Sequence, residues 1–180
     1  MDDKVKDPVA DEAEQLSGGA IISAIKDAGV SYVLSVPDLH TAKGLLMPIA
    51  DDPDLNLIRV CKEDECLGIS AGLSYGDKRA LVLIQYTGFL YTMNSIRAVA
   101  AEHGKPICLM VGLLGKPLGV APREAKRVGV RAVEPMLDIM GIPHQLIETD
   151  ADVPLIAPAI IDAYENEHPT ALLIGRRPTP

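Results

Sequence analysis

Six short aliphatic runs recur along this chain, each separated from the next by room for one helix, and that alternation restricts the fold more than any other feature. The runs are Tyr32-Val33-Leu34-Ser35-Val36, residues 55–61, Ala80-Leu81-Val82-Leu83-Ile84-Gln85, Pro106-Ile107-Cys108-Leu109-Met110-Val111, residues 144–148 and Ala171-Leu172-Leu173-Ile174. They are short and almost continuously apolar, the pattern of strands buried on both faces. Helical segments are expected over 17–29, 40–50, from about 63, 91–103, 131–140 and 153–166. Stop signals close several of them: Gly29, the turn Asp51-Asp52-Pro53-Asp54, Gly104 and Gly141. The alternation predicts an α/β fold with a doubly wound, parallel six-stranded sheet and helices on both faces. Right-handed crossovers would distribute the helices. A length of 180 residues fits one domain with a full core. It is expected over 16–180, preceded by a flexible acidic tail over 1–15.

Composition narrows the class. With five Tyr, one Phe and no Trp the core must be aliphatic, as suits parallel strands. A net charge of −8 argues against nucleic acid as the main partner, because phosphate binding needs a basic face. No stretch reaches the roughly 20 apolar residues of a membrane span, and Met1-Asp2-Asp3-Lys4-Val5-Lys6-Asp7 lacks the apolar core of a signal sequence. The three cysteines, Cys61, Cys66 and Cys108, form no regular framework, so reduced thiols in a cytoplasmic protein are expected. Cys61 and Cys66 lack the CxxC or paired His of a zinc site and read as buried structural residues. No metal site is expected. No Gly-x-Gly-x-x-Gly follows the first strand, and Leu114-Gly115-Lys116-Pro117 is only a fragment of a phosphate-binding loop.

Chemistry-bearing residues fall at the corners where strands give way to helices, where open α/β sheets keep their ligand crevices. Glu63 stands in Lys62-Glu63-Asp64-Glu65, directly after the second run. It reads either as a functional carboxylate or as a solvated first-turn acid favoured by the helix dipole. Asp38 and His40 follow the first run. Asp38 could face a ligand or cap a helix, and His40 could move a proton or lie on the surface. The loop expected over 85–94 carries Gln85, Tyr86, Thr87, Gly88, Tyr91 and Asn94. Arg123, Lys126, Arg127 and Arg131 form a basic cluster in an acidic chain. They suit either an anion, which guanidinium holds with two prongs, or a rim of salt bridges.

Four patches carry a family resemblance: Ser35-Val36-Pro37-Asp38, Cys61-Lys62-Glu63-Asp64-Glu65 through Gly72, Ile84-Gln85-Tyr86-Thr87-Gly88 with Asn94, and Arg131-Ala132-Val133-Glu134-Pro135-Met136-Leu137-Asp138 followed by Gly141-Ile142-Pro143. Their order and spacing resemble the pyrimidine-binding domain of thiamine-diphosphate (ThDP) enzymes. The nearest likeness is to sulfopyruvate and phosphonopyruvate decarboxylases. The resemblance implies that Glu63 contacts the aminopyrimidine and activates the cofactor. It implies that Pro37, Gln85, Thr87, Gly88 and Asn94 line the cofactor site, with Asp38 and His40 beside the reacting groups. It puts Asp38, Tyr86, Tyr91 and Arg131 near a small 2-oxoacid substrate. Tyr86, Leu90 and Tyr91 replace the family's Asn, Gly and Asn, making the site larger and less polar, and Leu39 replaces a Ser of the family's substrate contact.

The family's diphosphate- and Mg²⁺-binding domain has no counterpart, since Gly76-Asp77-Lys78 lies in a turn without a suitably placed downstream Asn. The resemblance therefore implies half an enzyme. A separate diphosphate-binding β subunit would hold most of the ThDP and Mg²⁺ in a hetero-oligomer that also self-associates. Gly68, Ala71 and Gly72 would allow close helix approach there. The implied activity is decarboxylation of a 2-oxoacid to CO₂ and an aldehyde. A ThDP-dependent carboligase subunit and a degenerate scaffold are the alternatives.

Overall fold

A computed structural model describes residues 15–180, so all but the last residue of the expected acidic tail lies outside the described residues. Six strands form one sheet: β1 Val30–Ser35, β2 Asn56–Arg59, β3 Arg79–Gln85, β4 Cys108–Gly112, β5 His144–Ile147 and β6 Thr170–Ile174. All are parallel, in the order β2-β1-β3-β4-β6-β5. The last strand is thus an interior one, inserted between β4 and β5. The parallel six-stranded sheet agrees with the sequence expectation.

Period-two alternation divides the core. Val33, Leu81, Leu83, Met110 and Leu172 face one layer with α1 (Gly18–Asp27), α2 (Met47–Asp51) and α7 (Ile156–Glu165). Leu34, Val82, Ile84, Leu109 and Leu173 face the other, with α3 (Glu63–Ser74), α4 (Tyr86–Tyr91) and α6 (Val128–Ile139). Strands sandwiched in this way have no polar face, which is why β3, β4 and β6 read as unbroken aliphatic runs. Chain leaving β1 enters the first layer and chain leaving β3 enters the second. The carboxyl ends of these neighbours therefore diverge, and the Ser35 hydroxyl ties them there by donating to Leu83 O at 2.8 Å.

Three local differences from expectation matter. The expected loop over 85–94 is helical. Gln85 is extended (φ −88°, ψ 161°) and α4 begins at the next residue. Thr92 then interrupts the helix, its hydroxyl donating to Gly88 O and Phe89 O. A short α5 (Met93–Ser95) and a π-helical stretch, Ile96–Glu102, complete the segment. Tyr-Thr-Gly is a weak helix former; full burial of Phe89 overrides it. Second, α6 starts at Val128 rather than 131, and its first turn carries Gly129 under the Tyr86 ring: a Cβ there would be 2.3 Å from Tyr86 Cε2. Third, a π-helical turn, Ala42–Leu46, precedes α2.

The ends of the described chain clasp each other. Gly18 N donates to Thr179 O at 2.8 Å and Thr179 N to Leu16 O at 2.9 Å. Gly18 and Gly44 meet beneath this clasp with no room for a side chain: a Cβ on Gly18 would lie 1.8 Å from Gly44 O. Cys66 and Cys108 are core residues whose thiols burial pushes up to about 12, whereas Cys61 is exposed and departs from the buried reading. Among the described residues no helix is long and apolar enough to cross a membrane.

Candidate active site

The crossover from β2 into α3 is built by its own acids. Val60 N donates to Ser35 O, Lys62 is extended, and α3 opens at Glu63. Glu65 reaches back to accept from Cys61 N at 3.1 Å, a cap that satisfies a free backbone donor. Asp64 holds one buried oxygen without a partner.

Glu63 does neither. It is half-buried and makes no hydrogen bond or ion pair with another described residue. Its side chain lies flat against the first turn of α4: a Cβ on Gly88 would fall 2.5 Å from Glu63 Cγ and 2.6 Å from Oε1. Only glycine allows that approach. A carboxylate that gives up part of its hydration without an internal donor is suited to an external one.

Gln85, the last residue of β3, is half-buried, and its Oε1 accepts from the exposed Thr87 hydroxyl at 3.0 Å. The structure thus brings Glu63, Gln85, Thr87 and Gly88 to one corner. Tyr86 is buried: its ring fills the joint between α4 and α6 over Gly129. Its OH accepts from Arg127 Nη1 at 3.3 Å. Tyr91 is 59% exposed at the far end of α4.

The turn after β1 makes a second group. Pro37 is exposed, and Asp38 spends both oxygens on its own turn. Oδ1 accepts from His40 N and from Thr41 N at 2.9 Å, and Oδ2 from the Thr41 hydroxyl. Asp38 is therefore a cap in this structure. His40 is buried over the carboxyl ends of β4 and β6, its ring 3.1 Å from where a Gly112 Cβ would be. Nε2 stands 3.0 Å from Ile174 O. A carbonyl only accepts, so Nε2 carries the proton.

Burial holds the His40 pKa below the ordinary histidine value, against the Ile174 carbonyl and Asp38, which favour the cation, and alongside Arg177, which disfavours it. Its sign in stability follows. Above about pH 6.5 neither folded nor unfolded chain protonates this ring; below it the unfolded chain takes up a proton that the folded chain refuses. Stability should fall as pH drops through 6.5. His40→Gln, which retains a donor, should show a shallower fall in denaturant titrations at pH 7 and pH 5.

Two expected site residues stand apart. Asn94 lines a groove of about 610 Å³ with Ile139 and Met140 at the far end of α6, and its oxygen accepts from Arg97 Nη2 at 2.9 Å. Arg131 donates to Ala125 O at 3.0 Å and secures the segment ahead of α6. The rest of the basic cluster divides as well, with Arg123 paired to Glu134 and Asp138. Lys116, once a fragment of a phosphate loop, is a buried partner of Glu148. Gly129, which seats Tyr86, escaped the sequence reading, and Gly115, which seats Arg127, was read only as part of a phosphate-loop fragment. An isolated glycine inside an expected helix would have been the signal, but α6 was expected to start after Gly129. Among the described residues no three His, Cys, Asp or Glu side chains gather as a metal site requires.

No family model matches the chain. It is 30% identical over 155 residues to the sulfopyruvate decarboxylase subunit alpha of Methanocaldococcus jannaschii, covering 86% of this chain and 90% of that protein. It is 27% identical over 157 residues to the subunit of the same name from Methanococcus maripaludis, covering 86% and 92%. A sulfopyruvate decarboxylase of Methanosarcina acetivorans is 24% identical over 163 residues, which make up 86% of this chain but 39% of that longer protein.

Proposed function

Since the chain belongs to the family of sulfopyruvate decarboxylase alpha subunits, we propose that it is the pyrimidine-binding half of a ThDP-dependent 2-oxoacid decarboxylase. The observation that carries this reading is the unpartnered Glu63 carboxyl laid against Gly88 at the carboxyl edge of the sheet. The corner fits the aminopyrimidine: a carboxyl oxygen to accept from a ring N–H, and a glycine that leaves the approach open. Gln85 and Thr87 supply further polar atoms on the same corner. When bound, ThDP supplies the nucleophilic carbon and the electron sink for loss of CO₂. Glu63 holds a proton at the ring nitrogen opposite its oxygens. Asp38 and His40 shape the neighbouring wall, the first by fixing the turn and the second by locking it to β6.

One edge of one sheet is a surface, and it becomes a cleft only against a second body. We assign that body to a separate diphosphate-binding β subunit, which would hold Mg²⁺ and the diphosphate. The longer Methanosarcina relative supports the assignment, because the matched stretch leaves most of that protein for other parts. Gly68 and Gly72 on α3 are exposed, and a Cβ on either would meet nothing within 4 Å, so a partner helix could approach closely.

The test is calorimetric titration of ThDP with Mg²⁺ into this chain, into the β subunit and into their complex. Tight binding is expected in the complex alone and should be lost in Glu63→Ala. Equal binding by the β subunit without this chain, or by the Glu63→Ala complex, would refute the reading.

A further inference from the structure

We propose that Arg127, held in place by Tyr86, receives the second anionic group of the substrate, a sulfonate-type oxyanion remote from the 2-oxoacid carboxylate. The inference rests on the decarboxylase reading above. It begins from how differently the four members of the basic cluster are used. Arg123 is neutralised by Glu134 and Asp138, at 3.0 and 3.4 Å. Arg131 spends its guanidinium on Ala125 O and Lys126 O. Lys126 is exposed on a flexible stem that nothing pins.

Arg127 is exposed like Lys126, but its guanidinium is held from two sides. Its guanidinium lies against the bare backbone of Gly115, where a Cβ would be 2.8 Å from Nε and 3.2 Å from Cζ. Gly115 also has φ +81°, so both the space and the backbone there require glycine. From the other side Nη1 donates to Tyr86 OH. No carboxylate of a described residue pairs with Arg127. Arginine has five N–H donors in a planar fork, and one is used here. A guanidinium already fixed in position loses little entropy when a tetrahedral oxyanion takes two of the others.

Position completes the argument. Tyr86 follows Gln85 and precedes by two residues the glycine against which Glu63 lies. Through Tyr86 OH, Arg127 is thus tied to the residue that stands between Gln85 and Thr87 of the Glu63 corner. A short acid with charges at both ends would place its keto carbon where the cofactor supplies its nucleophilic carbon and its second anion on Arg127. Tyr86 is a positioning residue in this scheme: it touches the guanidinium and not the substrate.

The experiment uses the assembled two-subunit enzyme, with KM for sulfopyruvate and competitive inhibition by 3-sulfopropanoate, which keeps both acid groups and lacks the keto group. Arg127→Gln should raise both constants by the same factor, roughly 10- to 100-fold, with a much smaller change in kcat. Arg127→Lys should recover part of the loss, and Tyr86→Phe should raise both constants about 3-fold. Thermal melts establish that each variant is folded. Unchanged constants, or a fall in kcat with KM intact, would overturn the clamp. If the wild-type enzyme does not turn over sulfopyruvate, the decarboxylase reading is judged by the ThDP titration above and the clamp separately by calorimetry with 3-sulfopropanoate. Binding by wild type that is lost in Arg127→Gln keeps it; equal or absent binding overturns it.

Discussion

Glu63→Gln is expected to lower CO₂ release by the assembled enzyme about 10²- to 10⁴-fold, the range for loss of a positioned proton-holding group. The amide has nearly the same shape, so it still fits against Gly88. What changes is the ability to share a proton with a ring nitrogen. Because Glu63 bonds to no other described residue, the fold loses nothing, and the melting temperature should stay within about 2 °C of wild type. The pairing of a large activity loss with an unmoved melt separates chemistry from folding. Full activity in the variant would remove Glu63 from the site.

The second large effect is on stability. Gly18→Ala puts a methyl group 1.8 Å from Gly44 O and 2.9 Å from Thr179 O. Both obstacles are backbone, so α1 or the clasp between the chain ends must shift. Overpacking of this kind costs about 3 kcal/mol or more, which in a chain of this size lowers Tm by roughly 6–12 °C. The adjacent Gly19 is the control. A Cβ there meets only Ser17 Oγ at 3.7 Å, and alanine in place of helical glycine stabilises by about 0.5–1 kcal/mol. Opposite shifts at neighbouring positions in a thermal melt would trace the effect to the clasp rather than to α1. A Tm for Gly18→Ala within about 1 °C of wild type would show that the close approach is relaxed in solution.

The strands were legible because burial on both faces leaves a continuous aliphatic signature, clear in Leu81-Val82-Leu83-Ile84. The start of α3 was legible too, since acids favoured at a helix N-terminus follow directly on a strand. The start of α4 was not. Tyr86-Thr87-Gly88 argues locally for a loop, and only the buried Phe89 and the packing of Glu63 on Gly88 make it helical. That one misreading explains the uneven site. Glu63, Gln85 and Gly88 met because strand ends fix them. Asn94 faces another groove, because the break at Thr92 and the π-helical stretch after it set its direction apart from the Glu63 corner. Arg131 and Arg127 looked alike in sequence, and their different uses follow from Gly115, Gly129 and Tyr86, which come together only through tertiary packing.

The sheet order has a consequence for synthesis. Among the described residues β5 pairs only with β6, and β6 lies between β4 and β5. Until Thr170–Ile174 leaves the ribosome, β4 has one bare edge and β5 has no neighbour at all. A nascent chain that has already collapsed around β1, β2 and β3 must therefore keep a gap open for its final strand. Unfilled strand edges are templates for pairing with other chains. The interval before β6 emerges is when this protein is most exposed to aggregation and has most to gain from a chaperone, and slow codons after β5 would lengthen it.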